Sequence, residues 1–283
     1  MNKISQLDPS AGTTGSIISL VYSLHRHRQL IYTLAKKDVL GRYKPALMGV
    51  AWTFITPLLT LIIYTFVFSD IFKVRWNGSD ANNSKLEFAL IIFSGMIIFT
   101  FFSEVIIRST TVISININYV KKVIFPLEIL PIIVLCEAGF HAVVSIGILL
   151  TLIIFSDAGY IKNIYLIPIL LIPFIFLCAG FSFFLAAICV YLRDINQAIG
   201  SITTILMFLS PIFFPLSAVP NTFQQLIKLN PLTFVIENLR NLLFFNHTLD
   251  MAGSLIYSLF SVLTLMIGFY FFQKTRMGFS DVL

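Results

Sequence analysis

Residues 163–192, NIYLIPILLIPFIFLCAGFSFFLAAICVYL, contain no charged side chain. A helix needs about 20 mostly apolar residues to cross the hydrocarbon core of a bilayer, so this run is long enough for a tilted transmembrane helix. The whole sequence has the same character, because 58% of its 283 residues are hydrophobic and only 11% are charged. So few charges cannot solvate the surface of a soluble domain of this length. We therefore predict an all-α integral membrane protein.

Further apolar runs extend this prediction to six transmembrane helices. The second run contains Glu104, and the third contains Glu137 and His141. Prolines interrupt the second half of the fifth run and limit the predicted helix to its first half. Within a transmembrane domain of residues 45–283, the predicted spans cover about 45–69, 88–107, 131–156, 164–192, 197–217 and 251–273.

The basic residues predict the orientation of these spans. Cytoplasmic segments of membrane proteins carry an excess of Lys and Arg. An even number of spans puts both termini on one side, and a cytoplasmic placement puts 13 of the 19 Lys and Arg residues inside. The net charge of +6 therefore indicates topology rather than a nucleic-acid partner, because the basic residues stand in short clusters between apolar runs.

The N-terminal region divides into two parts. Residues 1–16 are polar, so we expect a disordered head and no signal peptide. Residues 17–44 have apolar side chains at helical spacing and basic side chains largely on the other side, which predicts an amphipathic helix in the cytoplasmic interface. This helix is either a passive anchor or a docking surface for a cytoplasmic partner, and the pattern favours neither.

The outer segment 219–250 is apolar but does not fit a simple span. Asn230-Pro231 breaks it into two parts that are each too short to cross, and Glu237 and Arg240 would be costly in lipid. Two short outer re-entrant helices fit better. Backbone of this kind at membrane depth packs against protein or a water-filled path, which favours a channel mouth over a loop.

The sequence lacks the motifs of common catalytic and metal sites. It has no Gly-Lys pair, and therefore no P-loop for a nucleotide, and it has no His-Glu-x-x-His, Cys-x-x-Cys or Gly-x-Ser-x-Gly motif. We expect no catalytic residue, metal or cofactor on this chain.

Three ionisable residues at membrane depth are functional candidates by default. Glu137 and His141 are spaced i and i+4, so they could form one intramembrane pair. Glu104 and Glu137 lie too near the cytoplasmic ends of their spans for a proton relay at mid-membrane. A structural pair or an interface contact is the favoured interpretation.

The loop between spans two and three, residues 108–130, resembles the coupling-helix region of the type-2 ABC exporter permeases that move polysaccharides. The family pattern is Asn-x-Val-Lys-Lys-x-x-Phe-Pro-x-Glu-x-Leu-Pro, and the positions that match it are Asn118, Val120, Lys121, Lys122, Phe125, Pro126, Glu128, Leu130 and Pro131. One departure is Ile117, where the family often has Pro. We call residues 108–130 the coupling loop.

Three more segments carry the resemblance along nearly the whole chain. Arg42-Tyr43-Lys44, with the residues that follow it from Leu47 to Phe68, looks like the family's segment leading into span one. Tyr191-Leu192-Arg193-Asp194-Ile195 resembles its loop between spans four and five, and Asn230-Pro231 falls at its outer re-entrant helices.

The resemblance implies a homodimer of this chain with two copies of a separate ABC ATP-binding subunit, which would carry ATP and Mg. It implies export of an undecaprenyl-type lipid-linked polysaccharide, with O-antigen favoured, across the bacterial inner membrane. The alternatives are a teichoic-acid or capsule exporter permease and a membrane-embedded glycolipid transferase. The transferase would need a catalytic carboxylate or base facing a cavity, and none is evident in the sequence.

The resemblance also implies roles for individual residues. The expected contacts with the ATPase are Asn118, Tyr119, Lys121, Lys122, Phe125 and Pro126, although the lysines alone are also explained by topology. The expected phosphate contacts at the cytoplasmic gate are Arg42, Tyr43 and Lys44, with snorkelling to lipid headgroups as the alternative. The aromatics expected to stack on a sliding sugar chain are Trp52, Phe54, Tyr64, Phe66, Phe208, Phe213 and Phe214.

Overall fold

The computed structural model describes residues 17–44, 46–67, 85–121, 125–156, 159–160 and 163–283. The predicted disordered head lies outside these residues, and so does the segment 68–84 after the first span. Within the described residues the regular structure is helical, with no strand. The helices are α1 (Ile17–Arg26), α2 (Arg28–Tyr43), α3 (Trp52–Tyr64), α4 (Lys85–Ser109), α5 (Val112–Ile115), α6 (Ile117–Val120), α7 (Ile129–Ser156), α8 (Ile167–Tyr191), α9 (Asp194–Phe208), α10 (Asn221–Leu229), α11 (Pro231–Leu243), α12 (Met251–Thr275) and α13 (Phe279–Val282).

Five helical stretches among the described residues are long and apolar enough to cross a bilayer. They are Gly49–Val67, Leu86–Ser109, Ile129–Ser156, Ile164–Tyr191 and Met251–Val282. The prediction of an all-helical membrane protein with several crossings is confirmed. The predicted fifth span is occupied by α9, which has 15 residues and ends at Phe208. Its length is about 22 Å, which is shorter than a bilayer core of about 30 Å.

The helix α4 lies at the centre of the bundle, where most side chains from Phe88 to Ile106 are buried. It packs against α7, α8 and α11. The helices α3 and α9 lie at the periphery and leave many large apolar side chains exposed. A central helix buried all round is uniformly apolar, which is why α4 reads as a continuous hydrophobic run in the sequence.

The helices α8 and α12 cross with their backbones in contact. A Cβ atom added to Gly268 would lie 2.1 Å from the carbonyl oxygen of Gly180, and one added to Gly180 would lie 2.6 Å from the backbone of Thr264. Small residues at the crossing allow this approach, which is how transmembrane helices gain packing contacts without a hydrophobic driving force between them.

The two short helices α10 and α11 have 9 and 13 residues. Asn230 separates them and caps α11, because its side chain accepts a hydrogen bond from the Leu232 amide at 3.0 Å. Pro231 occupies the first turn of α11, where its missing N–H leaves no donor unsatisfied. The Thr233 hydroxyl donates to the carbonyl of Ile227 at 2.6 Å and holds the two helices together.

Arg240 on α11 is buried and satisfies the carbonyls at the broken end of the fifth apolar run. Its Nε donates to the Ile91 carbonyl at 3.1 Å, and its Nη2 donates to the Ile212 carbonyl at 2.6 Å. Its Nη1 donates to the carbonyl of Pro211. Pro211 and Ile212 lie after the end of α9 and outside any helix, so the guanidinium supplies hydrogen bonds to carbonyls that no helical turn satisfies. Gly95 leaves room for it, since a Cβ there would lie 2.7 Å from Arg240 Nη2.

Candidate functional site

Five ionisable side chains from three helices form a cluster between the helix α2 and the rest of the bundle. We call Arg42 of α2, Glu104 and Arg108 of α4, and Glu137 and His141 of α7 the ion cluster. Arg42 contacts Glu104, and Arg108 contacts Glu137. Arg42 Nη1 also lies 3.6 Å from Glu137 Oε1, and His141 Nδ1 lies 3.1 Å from Glu104 Oε2.

This arrangement corrects the pairing that the sequence suggested. His141 contacts Glu104 on the neighbouring helix, and Glu137 is held by Arg108. The Glu137 side chain is only 1% exposed, so its charge requires a guanidinium rather than an imidazole that can be neutral. Glu104 and Arg108 are spaced i and i+4, and Glu104 Oε1 lies 3.6 Å from Arg108 Nη1. This spacing could have indicated part of the cluster from the sequence. The contacts of Arg42 had no such sign.

Arg42 and Tyr43 attach the end of α2 to the bundle. The Tyr43 hydroxyl lies 3.0 Å from His141 Nε2, and the two rings meet edge to face at 6.0 Å. Burial by itself lowers the pKa of Arg42, but the hydrogen bond and charge of Glu104 outweigh burial and raise it. Arg42 therefore keeps its charge.

An open cavity of about 1200 Å³ lies next to the ion cluster, between α2, the start of α3, the end of α4, α5 and α7. Its charged lining residues are Lys37, Asp38, Arg42, Lys44, Arg108 and Glu137. Basic groups outnumber acidic ones in this lining, so the cavity favours an anion. Burial raises the pKa of Asp38, and the nearby Glu137 raises it further, which weakens the negative charge in the cavity.

A second cavity of about 90 Å³ reaches the ion cluster from the membrane side, between α3, α4 and α7. Glu104 and His141 stand at one end of it. The rest of its lining includes the hydroxyl side chains of Thr56, Thr60, Thr100 and Ser145. The ion cluster therefore borders both cavities, because Arg42, Arg108 and Glu137 line the first and Glu104 and His141 line the second.

The coupling loop folds as the short helices α5 and α6 followed by a return to α7. Tyr119 and Phe125 stack with their ring centroids 4.4 Å apart and an angle of 10° between their planes. Asn118 and Lys121 are exposed, and Pro126 is half-buried. Lys122 lies outside the described residues. The stacked rings thus bring together the two ends of the segment predicted to contact the ATPase, residues 118–126.

Glu128, at the end of the coupling loop, was part of the sequence motif but had no predicted role. It is 7% exposed. Its Oε1 accepts a hydrogen bond from the Ser23 hydroxyl of α1 at 2.9 Å, and its Oε2 accepts one from Arg276 at 3.2 Å. No sequence pattern connects three positions that lie so far apart along the chain.

The predicted path aromatics are on α3 and directly after it, and on α9 and the segment after it. Tyr64 and Phe213 are half-buried and meet at a ring distance of 6.0 Å, so the first and fifth apolar runs are neighbours here. Phe214 is also half-buried. The exposed members are Trp52, Phe54, Phe66 and Phe208.

The chain is similar along nearly its whole length to curated bacterial proteins. It is 22% identical over 267 residues to the O-antigen export system permease protein RfbA of Klebsiella pneumoniae, covering 94% of this chain and 99% of the relative. It is 24% identical over 268 residues to the protein of the same name from Myxococcus xanthus, with the same coverage. It is 23% identical over 243 residues to the polysialic acid transport protein KpsM of Escherichia coli, covering 84% of this chain and 90% of the relative.

The sequence pattern of a membrane-protein family, the ABC-2 type transporters, matches residues 29–244. The matched range runs from α2 through the coupling loop to the end of α11, so it includes the ion cluster, both cavities and Glu128. The chain belongs to the ABC-2 type transporter family.

Proposed function

We propose that this chain is the permease subunit of an ATP-driven exporter that moves a lipid-linked polysaccharide, with O-antigen favoured, across the bacterial inner membrane. The observation that carries the proposal is the end-to-end similarity to two O-antigen export permeases, which leaves no large segment of those relatives unmatched. ATP and Mg would bind to a separate ATP-binding subunit, and this chain would supply the path.

The membrane topology that we propose has six crossings with both termini in the cytoplasm. In addition to the five long stretches, the fifth crossing along the chain would be α9 together with the residues after it, as far as about 217. Arg240 holds the carbonyls of Pro211 and Ile212 on that stretch. The helices α10 and α11 would enter the outer leaflet and return. Their lengths support this, since helices of 9 and 13 residues cover about 14 and 20 Å.

The assembly that we propose is a homodimer with two ATP-binding subunits. The exposed faces of α3 and α9 would line the path, and their aromatic side chains would stack on the C–H faces of a sliding sugar chain. Exposed apolar side chains on both helices support this arrangement, including Trp52, Phe54, Ile202 and Phe208.

The cavity beside the ion cluster is our proposed site for the phosphate groups of the lipid carrier. Arg42, Tyr43 and Lys44 line it, together with Lys37 and Arg108, which the sequence had not suggested. Its basic lining and its volume of about 1200 Å³ support an anionic headgroup. The coupling loop, with Tyr119, Phe125 and Lys121, would receive the movement of the ATP-binding subunits.

A capsule exporter permease is the second candidate, supported by the similarity to the polysialic acid transport protein. A glycolipid transferase is less well supported. Glu137 does face the cavity, but its carboxylate contacts Arg108, and that ion pair disfavours a role as a catalytic base.

The test is deletion of the gene in its own host, followed by complementation with this chain. Polysaccharide is measured on intact cells and in the cytoplasmic fraction. The proposal predicts polymer trapped inside the deletion strain and returned to the surface by complementation. Normal surface polysaccharide in the deletion strain would exclude the proposed function. An O-antigen and a capsular polymer are distinguished by whether the lost material is attached to lipid A.

A further inference from the structure

Glu128 joins three segments on the cytoplasmic side of the bundle. It lies near the end of the coupling loop, directly before α7, and its two carboxylate oxygens have different partners. Oε1 accepts a hydrogen bond from Ser23 on α1. Oε2 accepts one from Arg276 in the turn after α12, the first residue of what we call the C-terminal segment, residues 276–283. With 7% exposure the carboxylate has little access to water, so these partners carry most of its solvation.

Within the coupling loop, the link from the stacked rings of Tyr119 and Phe125 to Glu128 is short and stiff. Phe125 is stacked on Tyr119, and only Pro126 and Leu127 separate Phe125 from Glu128. The Ile129 amide donates to the Pro126 carbonyl at 3.1 Å, and the turn continues directly into α7. A displacement of the stacked rings is therefore expected to displace the Glu128 carboxylate as well, because only two residues connect them.

The partners of Glu128 are themselves anchored. Leu20, one turn before Ser23 on α1, is 4% exposed. The C-terminal segment is held by the Tyr191 hydroxyl, which donates to the Thr275 carbonyl at 2.8 Å, and by the fully buried Phe279. A movement of Glu128 thus either carries α1 and the C-terminal segment along or leaves a buried carboxylate without its guanidinium, which is unfavourable.

We propose that Glu128 is a positioning residue for energy coupling. It transmits movement of the coupling loop to the interface helix α1 and to the C-terminal segment, so that both move together with α7. This inference rests on the proposed function, because it requires an ATP-binding subunit acting on the loop.

The test compares ATP hydrolysis and export for variants of the full chain assembled with its ATP-binding subunit. Glu128→Gln keeps the size and the acceptor for Ser23 but removes the charge, and Glu128→Ala removes both. Hydrolysis is measured as phosphate release by the purified complex in nanodiscs, and export as surface polysaccharide in the complemented deletion strain. Asp281→Asn, an exposed acidic residue in the C-terminal segment, is the matched control.

We expect export by the Glu128 variants to fall about tenfold, within the range of coupling between distant sites, while hydrolysis stays within about twofold. The exchange of Glu128→Arg with Arg276→Glu should restore most of the export. Asp281→Asn should behave as the unmodified chain does.

Three outcomes would overturn the proposal. One is unchanged export by Glu128→Ala. Another is a parallel loss of hydrolysis and export in an assembled complex. The last is failure of all Glu128 variants to assemble, because Glu128 would then be required for folding. Failure of the unmodified chain to export polysaccharide would instead exclude the proposed function, so the two failures are distinguishable.

Discussion

At the scale of single residues, charge decides which side chains of the ion cluster contact each other, and the hydrophobic pattern does not. The ion cluster places two carboxylates and two guanidiniums where the surrounding helices are apolar. Such groups are tolerated at depth only when they are paired. The sequence showed which ionisable residues lie in the spans, but their partners come from other helices. Arg42 is 62 positions from Glu104, and no spacing rule extends that far.

Arg108→Ala is expected to destabilise the protein by about 3 kcal/mol, because it removes the guanidinium in direct contact with the buried carboxylate of Glu137 and leaves only that of Arg42, 3.6 Å away. The value is at the low end of the range for buried pairs since the Arg108 side chain is 35% exposed. Thermal unfolding of the purified chain in detergent measures the change. Arg193→Ala, which removes an exposed arginine, is the control.

The double variant Arg108→Met with Glu137→Leu removes both members of the ion pair, so it distinguishes the loss of the whole pair from the loss of one partner. Replacing a buried ion pair by apolar side chains is often neutral, so its stability should lie within about 1 kcal/mol of the unmodified chain. A double variant as unstable as Arg108→Ala would show that the contact between these two residues is not the source of the effect.

At the scale of helices, the sequence located the elements well but not their contacts. The apolar runs marked α4, α7, α8 and α12 because a bilayer-crossing helix must be long and apolar. The fifth span was predicted to reach about residue 217, whereas α9 ends at Phe208, shortly before Pro211. The crossing of α8 with α12 could not be predicted, because it depends on two glycines whose faces meet only after the helices associate.

Gly268→Ala is expected to destabilise the bundle by about 1–3 kcal/mol, because its methyl group would overlap the Gly180 carbonyl and separate α8 from α12. The control is Gly147→Ala on α7, where an added Cβ meets nothing within 4 Å. That change should leave stability unchanged or raise it by about 0.5–1 kcal/mol, because Ala is the better helix former. Equal thermal midpoints for the two variants would contradict a backbone contact at the crossing.

At the scale of the whole molecule, the end of the bundle that carries α1 and α2 differs from the rest. The helices α1 and α2, the coupling loop and the C-terminal segment are joined there by the ion cluster and by Glu128. The contacts run between segments that are remote in the chain. An external force on the loop would therefore act on these segments together, which is what the proposed function requires.

The double variant Lys121→Glu with Lys122→Glu should abolish most ATP-coupled export while membrane insertion is retained, because reversed charge repels the docking surface of the partner. Surface polysaccharide in the complemented deletion strain measures export, and the amount of the variant in the membrane fraction measures insertion. Lys228→Glu, on the exposed outer helix α10, is the control and should export normally. Unchanged export by the double variant would leave these lysines a role in topology alone.

The sequence by itself determined that the chain is a helical membrane protein, where most of its spans lie, and which family motifs it carries. These features are local, because the length of an apolar run, a proline break and a short motif are all read along the chain. Only the tertiary structure decided which carboxylate pairs with which guanidinium, that Arg240 binds the carbonyls of Pro211 and Ile212 after α9, and that Glu128 connects α1 with the C-terminal segment. The physical reason is that a buried charge selects its partner by distance in space, and distance in space is set by packing.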